Sequence, residues 1–456
     1  MYQKNYHIYF VGIGGIGMSG IAELLLSLGY RVSGSDLKLS SITSRLEGLG
    51  AVIYQGHNGD QIKGADVLVT STAIAADNPE VAAAKEHAVS IIPRAEMLAE
   101  LMRIKYSIAV SGAHGKTSTT SMVASILNTA GLDPTVVVGG LLKNLGTNAL
   151  HGKGEYIVAE ADESDGSFLK YSPAIAAVTN IDLEHLDFYK DIEDIKDNFV
   201  KFINSVPFYG LAVLSLDNEH IQAILPRITV RHTTFGFTAQ ADLQAKDIRF
   251  EGRKGHFTVV HRGETLGEIS LNVAGKHNIS NSLAAIAVAF ELKIDFVTIK
   301  EALEGLEGVK RRLENKGKKN GITVMDDYGH HPTEVKTTLK AVRESWPNQR
   351  LVVVFQPHRY TRTEALFPEF TRAFYQSDLL YILPIYAASE APIEGVDSQA
   401  LCRGVREHGH KNVCCVDDFD HCLSLLSDSM AEGDLVLTLG AGDVYNLGEQ
   451  LLEQLS

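Results

Sequence analysis

Short apolar runs rich in β-branched residues alternate with longer helical patterns along most of this 456-residue chain. Such alternation is typical of parallel sheets, because parallel strands need a crossover connection that a helix usually supplies. Units of this kind open at 7–15, 105–131 and 322–334, each with a strand and a polar or glycine-rich turn. At roughly 150 residues per domain, a chain of 456 residues is also expected to contain three domains. We therefore predict an α/β protein with domains at 1–105, 106–318 and 319–456.

Two stretches interrupt this regular alternation. The segment 230–270 is less regular and alternates apolar with polar residues, as antiparallel strands do. The segment 314–321 (ENKGKKNG) is rich in glycine and lysine, which predicts a linker before the third domain. The remaining segments keep the strand–helix order that a mostly parallel sheet requires.

The charge balance limits the classes of partner. Lys and Arg number 42 and Asp and Glu number 56, so the formal net charge is −14. A nucleic-acid binder or a protein held on an anionic membrane needs a basic face, so we expect neither partner. No apolar run reaches the roughly 18 residues that span a bilayer, and the N-terminal stretch lacks the pattern of a signal peptide. We expect a cytoplasmic protein whose four cysteines, all after residue 400, are reduced thiols.

The first glycine loop matches the pattern GxGxxG. Gly12, Gly14 and Gly17 follow a strand and open a helix, and Asp36 ends the next strand, where an acid that binds a ribose would lie. Backbone N–H groups and a helix N-terminus offer partial positive charge to a diphosphate. The loop is therefore consistent with an NAD-dependent dehydrogenase, with another diphosphate ligand, or with tight packing of strand against helix.

The second glycine loop, at 112–117, departs from the standard Walker A pattern. That pattern needs a glycine where Val110 stands, yet a strand, a short glycine loop and Lys-Thr at a helix start remain. Lys116 is suited to reach the β- and γ-phosphates of a nucleotide, and Thr117 to ligate Mg²⁺. The residues expected to bind nucleotide here are Gly112, Gly115, Lys116, Thr117 and Ser118.

Acidic and histidine residues follow the strands next in sequence. Glu160 ends an apolar strand, and His185 follows the next one. Because the carboxyl ends of parallel strands lie at one edge of a sheet, we expect Thr117, Glu160 and His185 to point toward one magnesium site.

Seven strings of residues, in this order, resemble the ATP-dependent Mur ligases of peptidoglycan synthesis over nearly the whole chain. They are GIGGIGMSGIAE (12–23), SGAHGKTSTT (111–120), AEADESDGSF (159–168), TNIDLEHLD (179–187), GKHNISNSLAA (275–285), DDYGHHPTE (326–334) and QPHRYTRT (356–363). Ala113 stands where this family usually has Thr. The resemblance implies Rossmann-like first and third domains around a P-loop-type ATPase domain with a mostly parallel sheet.

The activity that the resemblance implies is ATP-dependent joining of L-alanine to the carboxylate of UDP-N-acetylmuramate. Phosphoryl transfer from ATP would give an acyl phosphate, and attack by the alanine amine would then release phosphate and leave ADP. The alternative within the family is a recycling ligase that attaches a whole tripeptide to the same nucleotide sugar. From other classes, an NAD oxidoreductase fused to an ATPase and a non-catalytic nucleotide-binding regulator stay open.

Roles for single residues follow from the same resemblance. The residues implied to hold UDP-N-acetylmuramate are Gly14, Gly15, Gly17, Asp36, Ser71 and Thr72. Those implied to contact ATP, besides the second glycine loop, are His277, Asn278 and Asn281 at the adenine end, Arg312 at the phosphates and Asp327. Those implied to lie near L-alanine and the γ-phosphate are Tyr328, His330, His358, Arg359 and Arg362. The expected catalytic residues are Lys116, His185, Arg312, His330 and His358, and the expected metal ligands are Thr117, Glu160 and His185.

Some of these residue patterns also have purely structural explanations. His330, His331, Pro332 and Glu334 are typical of a helix start, which is compatible with a role in the site. Some relatives carry a modified lysine, for which Lys201 is the candidate, but its register is poor and we leave it unassigned. The sequence leaves a monomer and a homodimer equally open.

Overall fold

The computed structural model of the protein describes residues 6–71, 73–75, 77–138, 149–185 and 188–455. It divides into two compact units. The first contains Met1–Lys246, Thr258–Ile269 and Ser280–Leu306, and the second contains Asp247–Phe257, Ser270–Ile279 and Glu307–Ser456.

The N-terminal part of the first unit is a five-stranded sheet within the described residues, with the order β3-β2-β1-β4-β5 and parallel pairing throughout. Its strands are β1 (His7–Val11), β2 (Arg31–Asp36), β3 (Val52–Gln55), β4 (Val67–Thr70) and β5 (Ser90–Pro93). Its helices are α1 (Ile16–Ser27), α2 (Ser41–Gly48), α3 (Pro79–Glu86) and α4 (Arg94–Met102).

The next sheet has ten described strands in the order β15-β14-β13-β12-β11-β10-β6-β9-β7-β8. They are β6 (Tyr106–Ser111), β7 (Thr135–Val137), β8 (Ala149–Leu150), β9 (Tyr156–Glu160), β10 (Ile175–Val178), β11 (Leu211–Ser215), β12 (His232–Gly236), β13 (Leu243–Glu251), β14 (Lys254–His261) and β15 (Glu264–Leu271). The helices are α5 (Lys116–Thr129), α6 (Ile192–Ile203), α7 (Glu219–Ile224), α8 (Lys276–Glu291) and α9 (Phe296–Glu304). Pairing is parallel from β12 to β7, whereas β8 is antiparallel to β7.

The third sheet lies in the second unit and has six described strands in the order β16-β17-β21-β18-β19-β20. They are β16 (Glu314–Lys319), β17 (Ile322–Asp327), β18 (Leu351–Phe355), β19 (Leu379–Ile382), β20 (Val413–Cys415) and β21 (Leu435–Leu439). The helices are α10 (Pro332–Ser345), α11 (Tyr360–Ala365), α12 (Phe367–Phe370), α13 (Ser398–Glu407), α14 (Phe419–Ser429) and α15 (Tyr445–Gln454). Only the edge strand β16 is antiparallel to its neighbour.

These sheets confirm the predicted fold class, an α/β protein of three domains with mostly parallel strands. Central strands such as β11 and β18 are buried along their whole length. Because helices cover both faces of a parallel sheet, such strands read as continuous apolar runs instead of alternating ones. The exact domain boundaries stay a prediction.

The interpretation of 314–321 as a linker is wrong, since residues 314–319 form the edge strand β16. A two-residue turn of Asn320 (φ 50°) and Gly321 (φ 78°) joins β16 to β17. Two positive φ values are those of a type I′ turn, for which Asn-Gly is the preferred pair. The lysines suit an exposed edge strand, because charge there discourages pairing with another chain.

The antiparallel expectation for 230–270 is wrong for β12, which pairs in parallel with both β11 and β13. The strands β13, β14 and β15 of the same stretch are neighbours in the sheet. Two residues separate each from the next, a connection that joins antiparallel strands but not parallel ones. No helix among the described residues is long and apolar enough to cross a membrane. All four cysteines are free thiols, with Cys402 and Cys422 buried.

Candidate active site

The first glycine loop lies against Asp36 at the end of β2. The Gly14 N–H donates to Asp36 Oδ2 at 2.9 Å. A Cβ atom at Gly14 would lie 2.8 Å from the same carboxylate oxygen. Gly15 precedes the first turn of α1 and its N–H donates to the Gly12 carbonyl at 3.1 Å. The absence of side chains thus lets the loop close around Asp36.

Arg94, which the sequence reasoning did not select, reaches the same loop. A Cβ atom at Gly17 would lie 2.9 Å from Arg94 Nη1. Arg94 opens α4, and its guanidinium is 3.9 Å from Asp162 Oδ2. A cation therefore stands at the start of α1, where the loop presents N–H groups to an anion. The available sequence signal was Arg94 itself, which follows directly after the strand that ends at Pro93.

Ser71 and Thr72 follow β4, the neighbour of β1. Ser71 lies one residue after the strand, and its carbonyl accepts a hydrogen bond from the Ile74 N–H at 3.0 Å. Thr72 lies outside the described residues. The position of Ser71 at the carboxyl edge of the sheet is the one where open α/β sheets bind ligands.

The second glycine loop follows β6 and passes close to two polar side chains. Gly112 (φ 129°) lies against the Thr179 hydroxyl, and Gly115 (φ 85°) lies against the Asn281 amide. A Cβ atom at either glycine would collide with these groups, so both the φ values and the space require glycine. The His114 N–H donates to Asn180 Oδ1 at 2.8 Å, which ties the loop to the end of β10.

Lys116, the first residue of α5, forms a buried ion pair with Glu163. Its Nζ donates to the two Glu163 carboxylate oxygens at 2.8 and 2.9 Å and to the Gly112 carbonyl at 2.7 Å. Burial opposes the charged lysine, but the charges of Glu163 and Asp162 outweigh it and raise the pKa of Lys116 above its ordinary value. Lys116 is therefore a fixed cation at the glycine loop.

His185 approaches the same carboxylate. Its Nε2 lies 3.6 Å from Glu163 Oε1 and 3.9 Å from Glu184 Oε2. Burial lowers the pKa of His185. The hydrogen bond with Glu163 and the charge of Glu184 raise this pKa by more than burial lowers it, so the net shift is upward. The backbone of His185 has a φ of 57°, an uncommon value for a residue with a side chain. Strained backbone of this kind clusters at functional sites.

The donor atoms in this region suit a divalent cation. Glu163, Glu184 and His185 each place a possible ligand atom within 4.8 Å of the others. Carboxylate oxygens are the protein ligands that Mg²⁺ prefers. In the sheet, β6 lies between β9 and β10. Glu160 ends β9, Thr117 lies in the helix that follows β6, and His185 lies in the segment that follows β10. Glu163 and Glu184, within the strings at 159–168 and 179–187, were not selected from the sequence.

The three residues expected at the adenine end are described within the units to which they belong. Asn281, beside Gly115, belongs to the first unit, and Asn278 belongs to the second, where its amide donates to the Ala274 carbonyl at 2.7 Å. His277 is also in the second unit, where burial, aided by the charge of Arg312, lowers its pKa to about 4. His277 is therefore a neutral imidazole at pH 7.

Arg312 and Asp327 lie near one another at the start of the third sheet. Arg312 Nη1 is 3.5 Å from Glu334 Oε1, and its guanidinium lies over the Tyr328 ring at 5.4 Å. Asp327 accepts hydrogen bonds from the Leu313 N–H at 2.8 Å and the Gly329 N–H at 2.9 Å. Burial raises the pKa of Asp327 to about 6, even though the Arg312 charge and these hydrogen bonds act in the opposite direction.

Arg311, which the sequence reasoning passed over in favour of Arg312, anchors this segment. It donates to Asp326 Oδ2 at 3.0 Å and to the carbonyls of Gly442 and Gly440 at 3.0 and 2.6 Å. Its guanidinium also lies 4.6 Å from the centre of the Tyr445 ring. Asp326 is fully buried, so Arg311 supplies the charge that this carboxylate needs.

A cluster of aromatic rings and arginines follows β17 and β18 in the second unit. The ring centres of His330 and His358 are 5.7 Å apart, and Tyr328 lies edge-on to His330 at 5.3 Å. Burial lowers the pKa of His330 to about 3. Burial and the charges of Arg362 and Arg359 lower that of His358 to about 4. Both imidazoles are therefore neutral at pH 7, and pKa values this low make each of them a weak proton acceptor.

Helix α10 begins inside this cluster, and the structural explanation of its first residues is confirmed. The Glu334 carboxylate accepts the N–H groups of His330 and His331 at 3.0 and 3.2 Å, and Pro332 occupies the first turn. The helix start thus fixes the backbone that presents His330.

Arg359 and Arg362 lie at the first turn of α11. Arg362 Nη1 is 3.3 Å from His358 Nδ1, and Arg359 Nε is 4.0 Å from Glu390 Oε1. His358 also stacks on Tyr386, with ring centres 5.6 Å apart and planes 8° from parallel. Neither Tyr386 nor Glu390 was selected from the sequence, because nothing local marks the loop that carries them.

Three family models match the sequence. Residues 7–106 match "Mur ligase family, catalytic domain", residues 110–289 match "Mur ligase middle domain", and residues 311–442 match "Mur ligase, glutamate ligase domain". Together these matches cover most of the chain.

Relatives and solved structures agree with these models. The chain is 79% identical, over 100% of both chains, to the UDP-N-acetylmuramate–L-alanine ligase of Desulforapulum autotrophicum. It is 62% identical, over 99% of both chains, to the protein of the same name from Desulfosudis oleivorans. Among solved structures, a UDP-N-acetylmuramate-alanine ligase from Thermotoga maritima matches with a TM-score of 0.82 at 29% identity, over 98% of each chain.

Proposed function

The chain belongs to the Mur ligase family, and we propose that it joins L-alanine to the carboxylate of UDP-N-acetylmuramate in an ATP-dependent, ADP-forming reaction. The observation that carries this conclusion is the 79% identity, without length difference, to a ligase of that name. Two groups of residues support it: a cationic glycine loop in the first unit, and neutral histidines beside arginines in the second.

The first chemical task is to bring a carboxylate against a triphosphate. A carboxylate is a poor acyl donor, because oxide would have to leave it. Transfer of the γ-phosphoryl group gives an acyl phosphate, whose leaving group is phosphate. Lys116 on the glycine loop and Arg312 would neutralise the negative charge during this transfer. The arrangement of Gly112, Gly115 and Ser118 around the start of α5 suits the binding of ATP phosphates.

Mg²⁺ would be held by Thr117, Glu160 and His185, where it would neutralise phosphate charge. The chain's own contribution is to bring these groups to neighbouring strand ends. Glu163 and Glu184, the additional acidic groups beside His185, would raise the affinity of this region for a divalent cation.

The nucleotide sugar would bind at the first glycine loop. Gly14, Gly15 and Gly17 would lie beside the diphosphate at the start of α1, where the lack of side chains at Gly14 and Gly17 leaves space for Asp36 and Arg94. Arg94 would add positive charge there. Asp36 and Ser71, at the carboxyl ends of β2 and β4, would lie around the nucleotide, with Thr72 proposed on sequence alone.

The adenine end of ATP would contact His277, Asn278 and Asn281, with Asp327 at the nucleotide. The lowered pKa of His277 supports a neutral ring there, which would both donate and accept hydrogen bonds.

L-Alanine would bind in the cluster of His330, His358, Arg359 and Arg362, with Tyr328 at its edge. An arginine fork recognises a carboxylate through two parallel hydrogen bonds, which suits Arg359 and Arg362 to the alanine carboxylate. The alanine amine must lose a proton as it attacks, and His330 and His358 would be the side chains nearest to it that can take this proton. Their pKa values of about 3 and about 4 make both weak bases, so their support for the proposal is their position beside the arginines and not their basicity.

The recycling ligase is less well supported than the alanine ligase, because relatives that are 79% and 62% identical over the full length are named for L-alanine. The oxidoreductase and regulator alternatives fit neither the family nor the residues around Lys116. ATP and nucleotide sugars are cytoplasmic metabolites, which supports a cytoplasmic location. A monomer and a homodimer are both compatible with this function.

The proposal is tested by phosphate release from the protein with Mg-ATP and UDP-N-acetylmuramate. L-Alanine, glycine, L-serine and the tripeptide are supplied separately as acceptors. We expect the highest kcat/KM with L-alanine. Release that depends on the tripeptide but not on alanine would favour the recycling ligase, and NADH formation would favour the oxidoreductase.

A further inference from the structure

The loop after β19 contacts the segment after β18 through paired backbone hydrogen bonds. The Arg359 N–H donates to the Tyr386 carbonyl at 2.9 Å, and the Tyr386 N–H donates to the Pro357 carbonyl at 2.8 Å. The stacked rings of His358 and Tyr386 add to this contact. The two segments therefore form one structural element that carries Arg359.

Arg359 has a backbone conformation that a residue with a side chain rarely adopts, with φ at 71° and ψ at 137°. Three hydrogen bonds hold it. The Arg359 N–H donates to the Tyr386 carbonyl, and the Arg359 carbonyl accepts from the Thr363 N–H at 3.2 Å and from the Thr363 hydroxyl at 2.8 Å. Strained residues persist where the surroundings fix them, and they cluster at ligand-binding sites. The strain sets the direction in which the Arg359 side chain leaves the backbone.

Glu390, on the same loop as Tyr386, stands beside this side chain. Its carboxylate accepts the Thr361 N–H at 3.1 Å and the Thr361 hydroxyl at 2.7 Å, which fixes it against the first turn of α11. Burial raises the pKa of Glu390, but the hydrogen bonds from Thr361 and the charge of Arg359 outweigh it and lower the pKa below its ordinary value. Glu390 is therefore charged at pH 7.

The carboxylate of Glu390 faces one edge of the Arg359 guanidinium. The atom that approaches it is Nε, at 4.0 Å. Within the described part of the chain, Glu390 is the one acidic side chain within this distance of Arg359. A guanidinium carries five donors, so contact at the Nε edge leaves the two terminal nitrogens available for a second carboxylate. The Arg359 side chain is 46% exposed, which leaves it accessible to a ligand.

We propose that Glu390 is a positioning residue, which orients the Arg359 guanidinium to receive the carboxylate of the amino-acid substrate. The inference rests on the proposed function, since it assumes that Arg359 binds this carboxylate. Glu390 acts through Arg359. Residues that bond to the far side of a metal ligand orient that ligand in the same way.

The test is the variant Glu390→Gln, assayed by phosphate release at saturating Mg-ATP and UDP-N-acetylmuramate. Glutamine retains one of the two oxygens that accept from Thr361 and has no charge toward Arg359. We expect the KM for L-alanine to rise about tenfold. We expect kcat and the KM values for the other two substrates to change less than twofold, because only alanine binding depends on Arg359. The control is Glu394→Gln, an exposed glutamate of the same loop, which should match the wild type.

A double-mutant cycle with Arg359→Lys separates positioning from a structural role. Lysine keeps the charge but has no planar fork to orient, so Glu390→Gln should change the alanine KM less than twofold in this background. An unchanged alanine KM in Glu390→Gln alone, or an undiminished effect beside Arg359→Lys, would overturn the proposal. Loss of alanine dependence in the wild type would instead contradict the proposed function.

Discussion

Lys116 and Glu163, 47 positions apart in the chain, form a buried ion pair in which the lysine Nζ contacts both carboxylate oxygens. The Glu163 side chain is 3% exposed and that of Lys116 is 17% exposed. Removing one partner of such a pair leaves an uncompensated buried charge, which usually costs about 3–5 kcal/mol. The pair keeps the ammonium group above the glycine loop, where the phosphates of a nucleotide would bind.

Replacing Lys116 with alanine should abolish turnover, because the loop loses the cation that neutralises the transferred phosphoryl group. UDP-N-acetylmuramate binding, measured by calorimetry, should stay within twofold of the wild type, since that ligand is assigned to the first glycine loop. Lys153→Ala, an exposed lysine of the same unit, is the control and should keep full activity. An equal loss of nucleotide-sugar binding and turnover in Lys116→Ala would show that the loop's role is misassigned.

The variant Glu163→Gln should destabilise the ligand-free protein, because Lys116 loses its buried counter-ion. Phosphate groups would supply the missing negative charge, so ADP should raise the unfolding temperature of Glu163→Gln more than that of the wild type. Thermal unfolding with and without ADP measures both effects. Glu155→Gln, an exposed glutamate, serves as the control. An ADP-induced rise equal to the wild type's would contradict this explanation.

The site residues that were predicted from their own sequence pattern, without the family resemblance, are those with a local signal. Gly112, Gly115 and Lys116 sit in a recognisable loop between strand and helix, and Glu160 is marked by the strand that it ends. Such a pattern can be recognised from residues that are adjacent in the sequence, because the strand end and the helix start fix where these residues lie. The glycine loops between strand and helix and the parallel sheets could therefore be predicted.

The residues that sequence reasoning missed act through distant partners. Glu163 pairs with Lys116, Arg311 with carbonyls of Gly440 and Gly442, and Glu390 with Thr361. Nothing adjacent to these residues in the chain reveals such contacts, which arise only when the sheets and loops have packed. The edge strand β16 is a different case, because its Asn-Gly turn was a local signal that the lysine-rich composition obscured.

Arg94→Ala should weaken the binding of UDP-N-acetylmuramate about tenfold, the loss expected for one charge-assisted hydrogen bond. Arg94 stands beside Gly17 at the start of α1, where the diphosphate would bind. Calorimetry with the nucleotide sugar alone measures the change. Arg103→Ala, at the other end of α4 and on the surface beside Glu100, is the matched control. Equal affinities of the two variants for the nucleotide sugar would show that Arg94 is not part of the binding site.

Arg311→Lys should lower the free energy of unfolding by about 3 kcal/mol, because one ammonium cannot replace a guanidinium that reaches Asp326, Gly440 and Gly442. Urea unfolding measures this change. The double variant Arg311→Met with Asp326→Asn removes both buried charges, so it should be more stable than Arg311→Met alone. A double variant no more stable than the single one would show that the buried charge of Asp326 is not the cause.

Acid should destabilise the protein partly through His277. The ordinary pKa of a histidine is about 6.5, and burial lowers that of His277 to about 4 in the folded chain. Between these values the unfolded chain binds a proton that the folded one does not, so stability falls as the pH falls from 6.5 toward 4. The contribution is about 1.4 kcal/mol per pH unit. Above pH 6.5 both states are neutral and the contribution vanishes.

The variant His277→Gln should therefore show a shallower loss of stability between pH 6.5 and pH 4 than the wild type. Asp327, whose pKa burial raises to about 6, acts in the opposite direction, because its folded form binds the proton more tightly. Asp327→Asn should accordingly make the loss steeper below pH 6. Urea unfolding midpoints at half-unit pH steps measure both slopes, with His87→Gln, an exposed histidine, as the control. Parallel curves for His277→Gln and the wild type would show that the imidazole gains its proton equally in both states.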